Sequence, residues 1–416
     1  MAALQPVQPP EQGQVDGVAT AQTAPASQAC PAVDVADLWR RIRNNDDRGD
    51  RDAVPPADQS ADAKAHQRFL VISPTFGSRP STGLIGGANG NVAFFRGDPK
   101  TTHISTLAGG FRFSQKKQLF FGVGFSMFAA DDRWFFQGDD RLQLTSQDIY
   151  GLGTESVKTA ATNMKFNYVR IYETAYRRVR PGLFLGLGLN VNSHSNVRPG
   201  DGSPPGSDES PFLTYSHTHG FAPDRQASSG TSIGLLVDTR DNAINPQGGW
   251  LASAIYRTFF SGFIGGDSTW QQLYLDLRTY KKLSNDSRHK LAFWLIGNLV
   301  TGGTAPYLDL PSTGSDGRSA RGYIEGRYRG EHLVYGEVEY RGSLTTNGLL
   351  GFVAFLNATT VDGTDAGKKL FDAYAPAAGF GLRVLLNKRS RTNLAADFGW
   401  GKAGSRGFYL GIQEAF

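Results

Sequence analysis

Cysteine occurs once in the 416 residues, at Cys30, and methionine only three times. A single cysteine cannot close an internal disulfide, so no disulfide framework holds this fold together. No apolar window approaches the roughly 20 residues that a membrane-spanning helix needs; the longest is "GLLGFVAFL" at 348–356. Helical membrane spans are thereby excluded, and strands are left as the route across a bilayer. The net charge of +5 is modest, and its basic residues are scattered without the dense run of a nucleic-acid binder. Enzyme signatures are missing too: there is no G-x-S-x-G elbow, no H-E-x-x-H and no paired C-x-x-C, and "GTDAGKKL" at 363–370 has neither the spacing nor the Ser/Thr of a phosphate-binding loop. No catalytic residue, cofactor or metal is expected. The start, "MAALQPVQPPEQGQ", has no basic n-region and no apolar h-region, which fits either the absence of a signal peptide or a mature form with an added Met.

What is abundant is glycine (51), phenylalanine (27) and tyrosine (15). Aromatics favour pleated surfaces and glycine favours tight turns, so the composition predicts an all-β protein. Residues 1–67, rich in Ala, Gln, Pro and Asp, read as a disordered arm. Within it, "VDVADLWRRIRNN" at 33–45 sets Val35, Leu38, Trp39 and Ile42 at helical spacing, the pattern of a short amphipathic helix that either frays in a linker or docks on or plugs the domain that follows.

From about residue 68 the chain alternates apolar and polar residues in runs of roughly ten, the length and period of strands in a membrane barrel. In "WQQLYLDLRTY" (270–280), Leu273, Leu275 and Leu277 share one face, and Gln272, Tyr274, Asp276 and Arg278 the other. In "EHLVYGEVEYRG" (331–342), Val334, Val338 and Tyr340 oppose Glu337, Glu339 and Arg341. "RTNLAADFGWG" (391–401) sets Leu394, Ala396, Phe398 and Trp400 against Asn393 and Asp397. The spacing predicts strands starting near 68, 83, 101, 117, 132, 163, 181, 230, 249, 269, 289, 331, 348, 374, 391 and 406, the fifth the least regular.

Connections after even-numbered strands are short, whereas those after odd-numbered strands include long ones around 137–162, 194–229, 302–330 and 360–373. Short turns on one rim and long loops on the other are the arrangement of an up-and-down outer-membrane barrel, and an even strand number returns both termini to the short-turn side. The fold expected is therefore a roughly sixteen-stranded antiparallel transmembrane β-barrel over 68–416 behind the N-terminal arm. A basic residue on the lipid face near the midplane costs roughly 2–4 kcal/mol. Asp276, Arg278, Glu337, Glu339, Arg341 and Arg383 should therefore face the lumen. The last strand should present Phe408, Leu410 and Ile412 to lipid and end on Phe416 at the membrane interface.

Three stretches stand out. "DTRDNAINPQGG" (238–249) is a turn with charge-paired flanks: Asp238, Arg240 and Asp241 can pair, Pro246 fixes the backbone and Gly248 with its neighbour permits positive φ. "SARGYIEGRYRG" (319–330) gathers Arg321, Arg327 and Arg329, with Arg318 just before it, in one Gly-rich loop. "SHTHG" offers His217 and His219 as metal or base candidates, against the simpler reading of a solvated turn.

In order and spacing, "DTRDNAINPQGG", then "ARGY", then "EVEYR" and an aromatic last residue resemble the BamA and TamA superfamily of outer-membrane assembly proteins, also called bacterial surface antigens. The motifs carry the resemblance over 230–416; over 68–229 it rests on strand pattern and length. The resemblance implies that the loop before the twelfth strand folds into the lumen, where Arg321, Gly322 and Tyr323 form its tip and Glu339 is the wall carboxylate holding the arginine. Where the family offers an Asp on the next strand, this chain has Asn357, so that second anchor is neutral. Assembly members carry periplasmic POTRA domains, which the arm does not resemble; either a partner bound to the arm replaces them or the activity differs.

The function so implied is non-covalent: assisting insertion or passage of protein or lipid in the outer membrane of a Gram-negative bacterium, in contact with its lipid including lipopolysaccharide. The alternative is a porin-like channel, and the third reading is an enzyme at the barrel lip.

Overall fold

The computed structural model describes residues 32–35, 37–38, 69–79, 83–158, 161–200, 210–283, 288–388 and 390–416. Sixteen strands follow one another in a single antiparallel sheet, each hydrogen-bonded to its neighbours in sequence. They are β1 (Phe69–Arg79), β2 (Gly83–Phe94), β3 (Ser105–Ser114), β4 (Leu119–Phe128), β5 (Trp134–Ile149), β6 (Thr162–Arg180), β7 (Leu183–Pro199), β8 (Gln226–Asp238), β9 (Gly249–Phe259), β10 (Trp270–Lys282), β11 (His289–Gly303), β12 (His332–Ser343), β13 (Leu350–Val361), β14 (Ala375–Asn387), β15 (Thr392–Gly401) and β16 (Arg406–Ile412). The sheet curls into a barrel that brings β1 beside β16. Among the described residues no hydrogen-bonded ladder joins those two strands.

Alternation decides which side chain goes where. Leu185, Leu187, Ile233, Leu235, Phe293, Leu295, Leu356, Phe380 and Leu382 stand exposed on the outer surface, where lipid rather than water is their neighbour. Charged and aromatic side chains of the opposite face, such as Asp276, Trp294, Glu337 and Arg383, are buried inside.

The fifth strand differs from expectation. The stretch from 137, expected to open a long loop, is still β5, which runs to Ile149. Its polar residues are no obstacle to a strand whose inner face is polar: Trp134, Phe136, Leu142 and Leu144 are exposed outside, while Gln137, Asp139, Arg141 and Gln143 line the interior. β6 has 19 residues and β7 has 17, longer than the roughly 9–11 that cross a bilayer, so this pair stands proud of the outer rim.

On that rim, within the long loop expected at 194–229, the residues around His217 and His219, read from sequence as a solvated turn, form part of a helix, α1 (Pro211–His219). Ser210 caps its first turn by accepting the Leu213 amide, and Gly220, at φ 74°, ends it in the left-handed conformation that glycine adopts without steric cost. Phe212 and Tyr215 of α1 pack with Met164, Phe166, Trp270 and Tyr307 into an apolar cap.

The described start of the arm docks on the opposite rim. Asp34 and Asp37 exchange side-chain bonds with each other's amides (2.9 and 3.1 Å), a reciprocal cap that starts a helix at Val35. Val33 donates its amide to Asn347 O (3.1 Å), Lys388 donates its amide to Asp34 (2.9 Å), and Lys388 Nζ pairs with Asp37 (2.7 Å). The remainder of the helix expected over 33–45, with Trp39 and Ile42, lies outside the described residues.

Candidate functional site

The loop 304–331 between β11 and β12 folds inward, and each of its arginines has a separate task. Arg329 donates to the carbonyls of Tyr307, Leu308 and Leu310 (2.9, 2.9 and 3.3 Å) and to Gln147 (3.0 Å), folding the loop onto itself and onto β5. Arg327 holds Ser156 of the neighbouring loop through its hydroxyl (2.9 Å) and its carbonyl (2.8 Å). Arg318 opens into the lumen, its side chain exposed.

Arg321 goes to the wall. It is 2% exposed and meets three carboxylates: Asp397 of β15 (2.6 Å), Glu337 of β12 (2.5 Å) and Glu339 of the same strand. The ring centroid of Phe355 lies 3.8 Å from the guanidinium carbon. Burial works against charge on Arg321, but the attraction of Glu337, Glu339 and Asp397 outweighs it and raises the arginine well above its ordinary value. Asn357 of β13 pairs with no guanidinium. Its amide donates to Arg321 O (3.1 Å) and to Glu337 (3.3 Å), fixing the loop backbone instead. The carboxylate absent from position 357 is supplied by Asp397, which the sequence did not single out as a partner.

Gly322 sits at φ 109°, and a Cβ there would come within 2.9 Å of Ala377 and 3.1 Å of the Trp400 backbone. The tip therefore lies against the wall backbone with no room for a side chain. Tyr323 donates its hydroxyl to Pro376 O (2.6 Å) and accepts the Lys402 amide (2.8 Å). Tyr409 of β16 accepts the Gly322 amide (3.0 Å) and donates to Tyr323 O (3.1 Å).

The charge network extends to the chain terminus. Arg341 bonds Glu339 (2.5 Å) and the Phe416 carbonyl (2.8 Å). Arg383 joins Asp397 (2.5 Å) to Glu414 (2.7 Å). Burial would raise the Glu414 carboxyl, but Arg383 and Arg341 hold it far below the usual range.

Phe416 is accordingly not at a membrane interface. It is 3% exposed and stacks on Trp294 at 4.9 Å, with the guanidinium carbon of Arg341 also 4.9 Å from its ring centroid. The strand ends at Ile412, Gln413 takes φ 80°, and Glu414 turns inward to its arginine rather than outward to lipid. Phe408 is exposed on the outer surface, and Leu410 and Ile412 are half-buried.

Asp276 and Arg278, expected in the lumen, pair there bidentately (2.8 and 2.5 Å). The 238–249 turn is tied at several points. Arg240 grips Asp238 with two bonds (2.9 and 2.7 Å), Asp241 accepts the Gln247 and Gly248 amides and pairs with Arg391 (2.6 Å), and Lys290 of β11 reaches Asn245 and the Pro246 carbonyl (2.7 Å). The need for glycine falls on Gly249, which sits at φ 96° and where a Cβ would lie 2.3 Å from Thr239 O, whereas Gly248 has open space around it and an ordinary φ.

His219 shares a hydrogen bond with Asp365 (2.9 Å) across the outer rim, and His217 is exposed. Glu331, His332 and Asp362 carry ligand atoms within 4.8 Å of one another. They are satisfied internally, His332 by Asp362 and Glu331 by the Thr364 hydroxyl (2.6 Å).

Residues 107–416 match the Omp85 superfamily domain. The chain belongs to the Omp85 superfamily. Its barrel is similar to BamA from Haemophilus ducreyi lacking POTRA domains 1–3, at TM-score 0.53 and 16% identity over 83% of this chain and 69% of that one. It is also similar to CdiB from Acinetobacter baumannii (TM-score 0.51, 13% identity, 83% and 59%) and CdiB from Escherichia coli (TM-score 0.51, 12% identity, 83% and 62%). The Omp85 chain thus spans less than two thirds of either CdiB chain. No curated protein matches its sequence. Among the described residues nothing forms a POTRA-like domain. Membership places this Omp85 barrel among outer-membrane assembly and translocation proteins.

Proposed function

We propose that this Omp85 barrel assists insertion or passage of protein or lipid at the outer membrane of a Gram-negative bacterium, without covalent chemistry. The observation that carries the reading is the seam: β1 and β16 lie side by side with no ladder between them among the described residues. An unladdered seam leaves backbone donors and acceptors of two strands free of each other, a template for an incoming strand and a discontinuity in the lipid-facing wall. The loop tip bonds to β16 through Tyr409, so the same strand that borders the seam is braced from inside. The arm, docked at Asn347 and Lys388 on the short-turn rim, is the place where a periplasmic partner would engage, and the outer surface meets membrane lipid, lipopolysaccharide included.

The test is the rate at which an unfolded outer-membrane barrel inserts into liposomes with and without this protein, beside a dye-leak control. Faster insertion without leakage is the expected result. Steady leakage with no acceleration would replace the reading with that of a channel.

A further inference from the structure

The loop 304–331 divides the lumen. On one side Arg321 is held by β12 and β15; on the other, residues 308–318 border a cavity of about 520 Å³ whose remaining walls come mainly from β3 to β11. That volume falls within the range of small-molecule sites, roughly 300–1,000 Å³. Nothing in the family reading uses this half of the lumen.

Guanidiniums gather in its wall around Tyr172. Arg141, Arg170 and Arg257 come from β5, β6 and β9. Asp139 serves the first two, bidentately to Arg141 (2.8 Å twice) and at 3.4 Å to Arg170. Among the described residues Arg257 has no carboxylate partner. It is 8% exposed, it donates to the Gln272 side chain (2.9 Å), and its Nε is buried without a partner. Tyrosine rings keep it in place: its guanidinium carbon lies 5.0 Å from the centre of the Tyr172 ring and 5.4 Å from that of Tyr274, and Arg170 lies 4.6 Å from Tyr172. Two guanidiniums therefore share the Tyr172 ring, and Asp139 is already committed to Arg141 and Arg170.

Among the described residues no other acid of the cavity bonds Arg257: Asp238 and Asp276 pair with Arg240 and Arg278, and Glu325 makes no bond to it. Asp316 accepts the amides of Arg318 and Ser319 (2.8 and 2.7 Å), Asp148 accepts from Asn163 (2.7 Å) and Asp309 from Ser228 (2.6 Å). Burial raises Asp309 to about 6, so it loses negative charge in mildly acidic conditions. Arg318 adds a further guanidinium from the loop, with no side-chain partner among the described residues and exposed to the cavity.

We infer that this half of the lumen is a binding site for a small phosphorylated or pyrophosphorylated molecule, held by Arg257 and Arg170 with Tyr172 and Tyr274 beside them. A guanidinium fork matches the oxygens of a phosphate group with paired bonds, and an arginine without a carboxylate is free to make them. A phosphate monoester in solution and a lipid headgroup entering from the membrane offer the same chemistry.

The test is calorimetric titration of the full chain with sodium pyrophosphate in maltoside micelles. Saturable binding is expected in the unmodified protein, weakened at least about tenfold in Arg257→Gln and less in Arg257→Lys, and unchanged in Arg133→Gln, whose side chain is 68% exposed on the short-turn rim. The heat-shift of each variant on a gel reports that it is folded. Repeating the titration in nanodiscs of phosphatidylglycerol and of phosphatidylcholine separates the two sources: weaker pyrophosphate binding in phosphatidylglycerol assigns the site to a headgroup, and equal binding assigns it to a soluble phosphate. No saturable heat in the unmodified protein, or binding that Arg257→Gln leaves intact, overturns the proposal.

Discussion

Tyr409 and Tyr323 are joined directly: the hydroxyl of Tyr409, on the last strand, donates to the Tyr323 carbonyl at 3.1 Å while accepting the Gly322 amide at 3.0 Å. One phenol thus satisfies two backbone groups at the loop tip, from the strand that borders the seam. Tyr409→Phe should cost about 1 kcal/mol through the lost bonds and the amide left unpaired. The readout is the temperature of the gel-shift transition, together with faster hydrogen exchange at Gly322. An exchange rate that stays the same would show that the tip is held without β16.

Arg321→Ala should be far more damaging. It leaves Glu337 without a guanidinium and takes from Glu339 and Asp397 the arginine they share, and removing one member of such a buried set typically costs about 3–5 kcal/mol. Arg321→Lys should recover only part of this, because an ammonium cannot present the planar fork that serves three acids. Equal transition temperatures for the alanine variant and the unmodified barrel would dissociate the ion pairs from stability.

Asn357→Asp should destabilise, although it installs an acid at that position. The amide now donates to Glu337 at 3.3 Å and to Arg321 O at 3.1 Å; a carboxylate would repel the first and could not donate to the second. A loss of about 1–3 kcal/mol is expected in thermal unfolding. A gain would mean that Arg321 turns to accept the new acid.

Glu414→Gln should loosen the terminus. Arg383 would keep Asp397 but lose its second carboxylate, at a cost of about 1.5–3 kcal/mol for a charge-assisted bond. Since Phe416 stacks on Trp294, tryptophan fluorescence should shift as the tail detaches. An unaltered spectrum would place the hold on the tail in Arg341 alone.

At the short-turn rim, His103 should make stability depend on pH. Its Nδ1 lies 2.6 Å from Asp132, and its amide donates to the same carboxylate (2.8 Å). The hydrogen bond with Asp132 raises its pKa above the ordinary 6.5, burial opposes this, and the charges of Asp132 and Asp238 add to it. A histidine raised on folding contributes fully below its unfolded value and loses that contribution as pH climbs through the folded one. The difference in melting temperature between the unmodified protein and His103→Gln should therefore be largest near pH ~5.5 and shrink towards pH ~9. A constant difference would remove the proton from the account.

Strand positions were legible because lipid outside and charge inside impose a period of two, so Asp276, Glu337 and Arg383 declare their direction in the sequence. Pairing across the barrel was not. Asp397 reads as one inward acid among several, and nothing in "RTNLAADFGWG" says that a loop arginine 76 positions earlier will reach it. In β5 the expected loop failed because polar residues such as Asp139 and Arg141 look like loop residues when the lumen they face is left out of account. The inward tail carries a signal of its own: counting by twos from Phe408 through Leu410 and Ile412 arrives at Glu414, a charge that the lipid face would not tolerate. The helix at 211–219 was hidden by its Gly/Ser/Pro surroundings, although Ser210, Pro211 and Gly220 are its start and stop signals.

Asp397 accepts both Arg321 and Arg383, and Arg383 in turn holds Glu414. Every acid that pairs with Arg321 therefore lies later in the chain than the loop that carries it. During assembly the loop arginine stays without its full complement of acids until β15 has been laid down, and Arg383, which orients Asp397, gains its second carboxylate only when Glu414 arrives. A chain that stops before β15 would leave the loop arginine without Asp397, so the interior is fully latched only once the penultimate strand is in place.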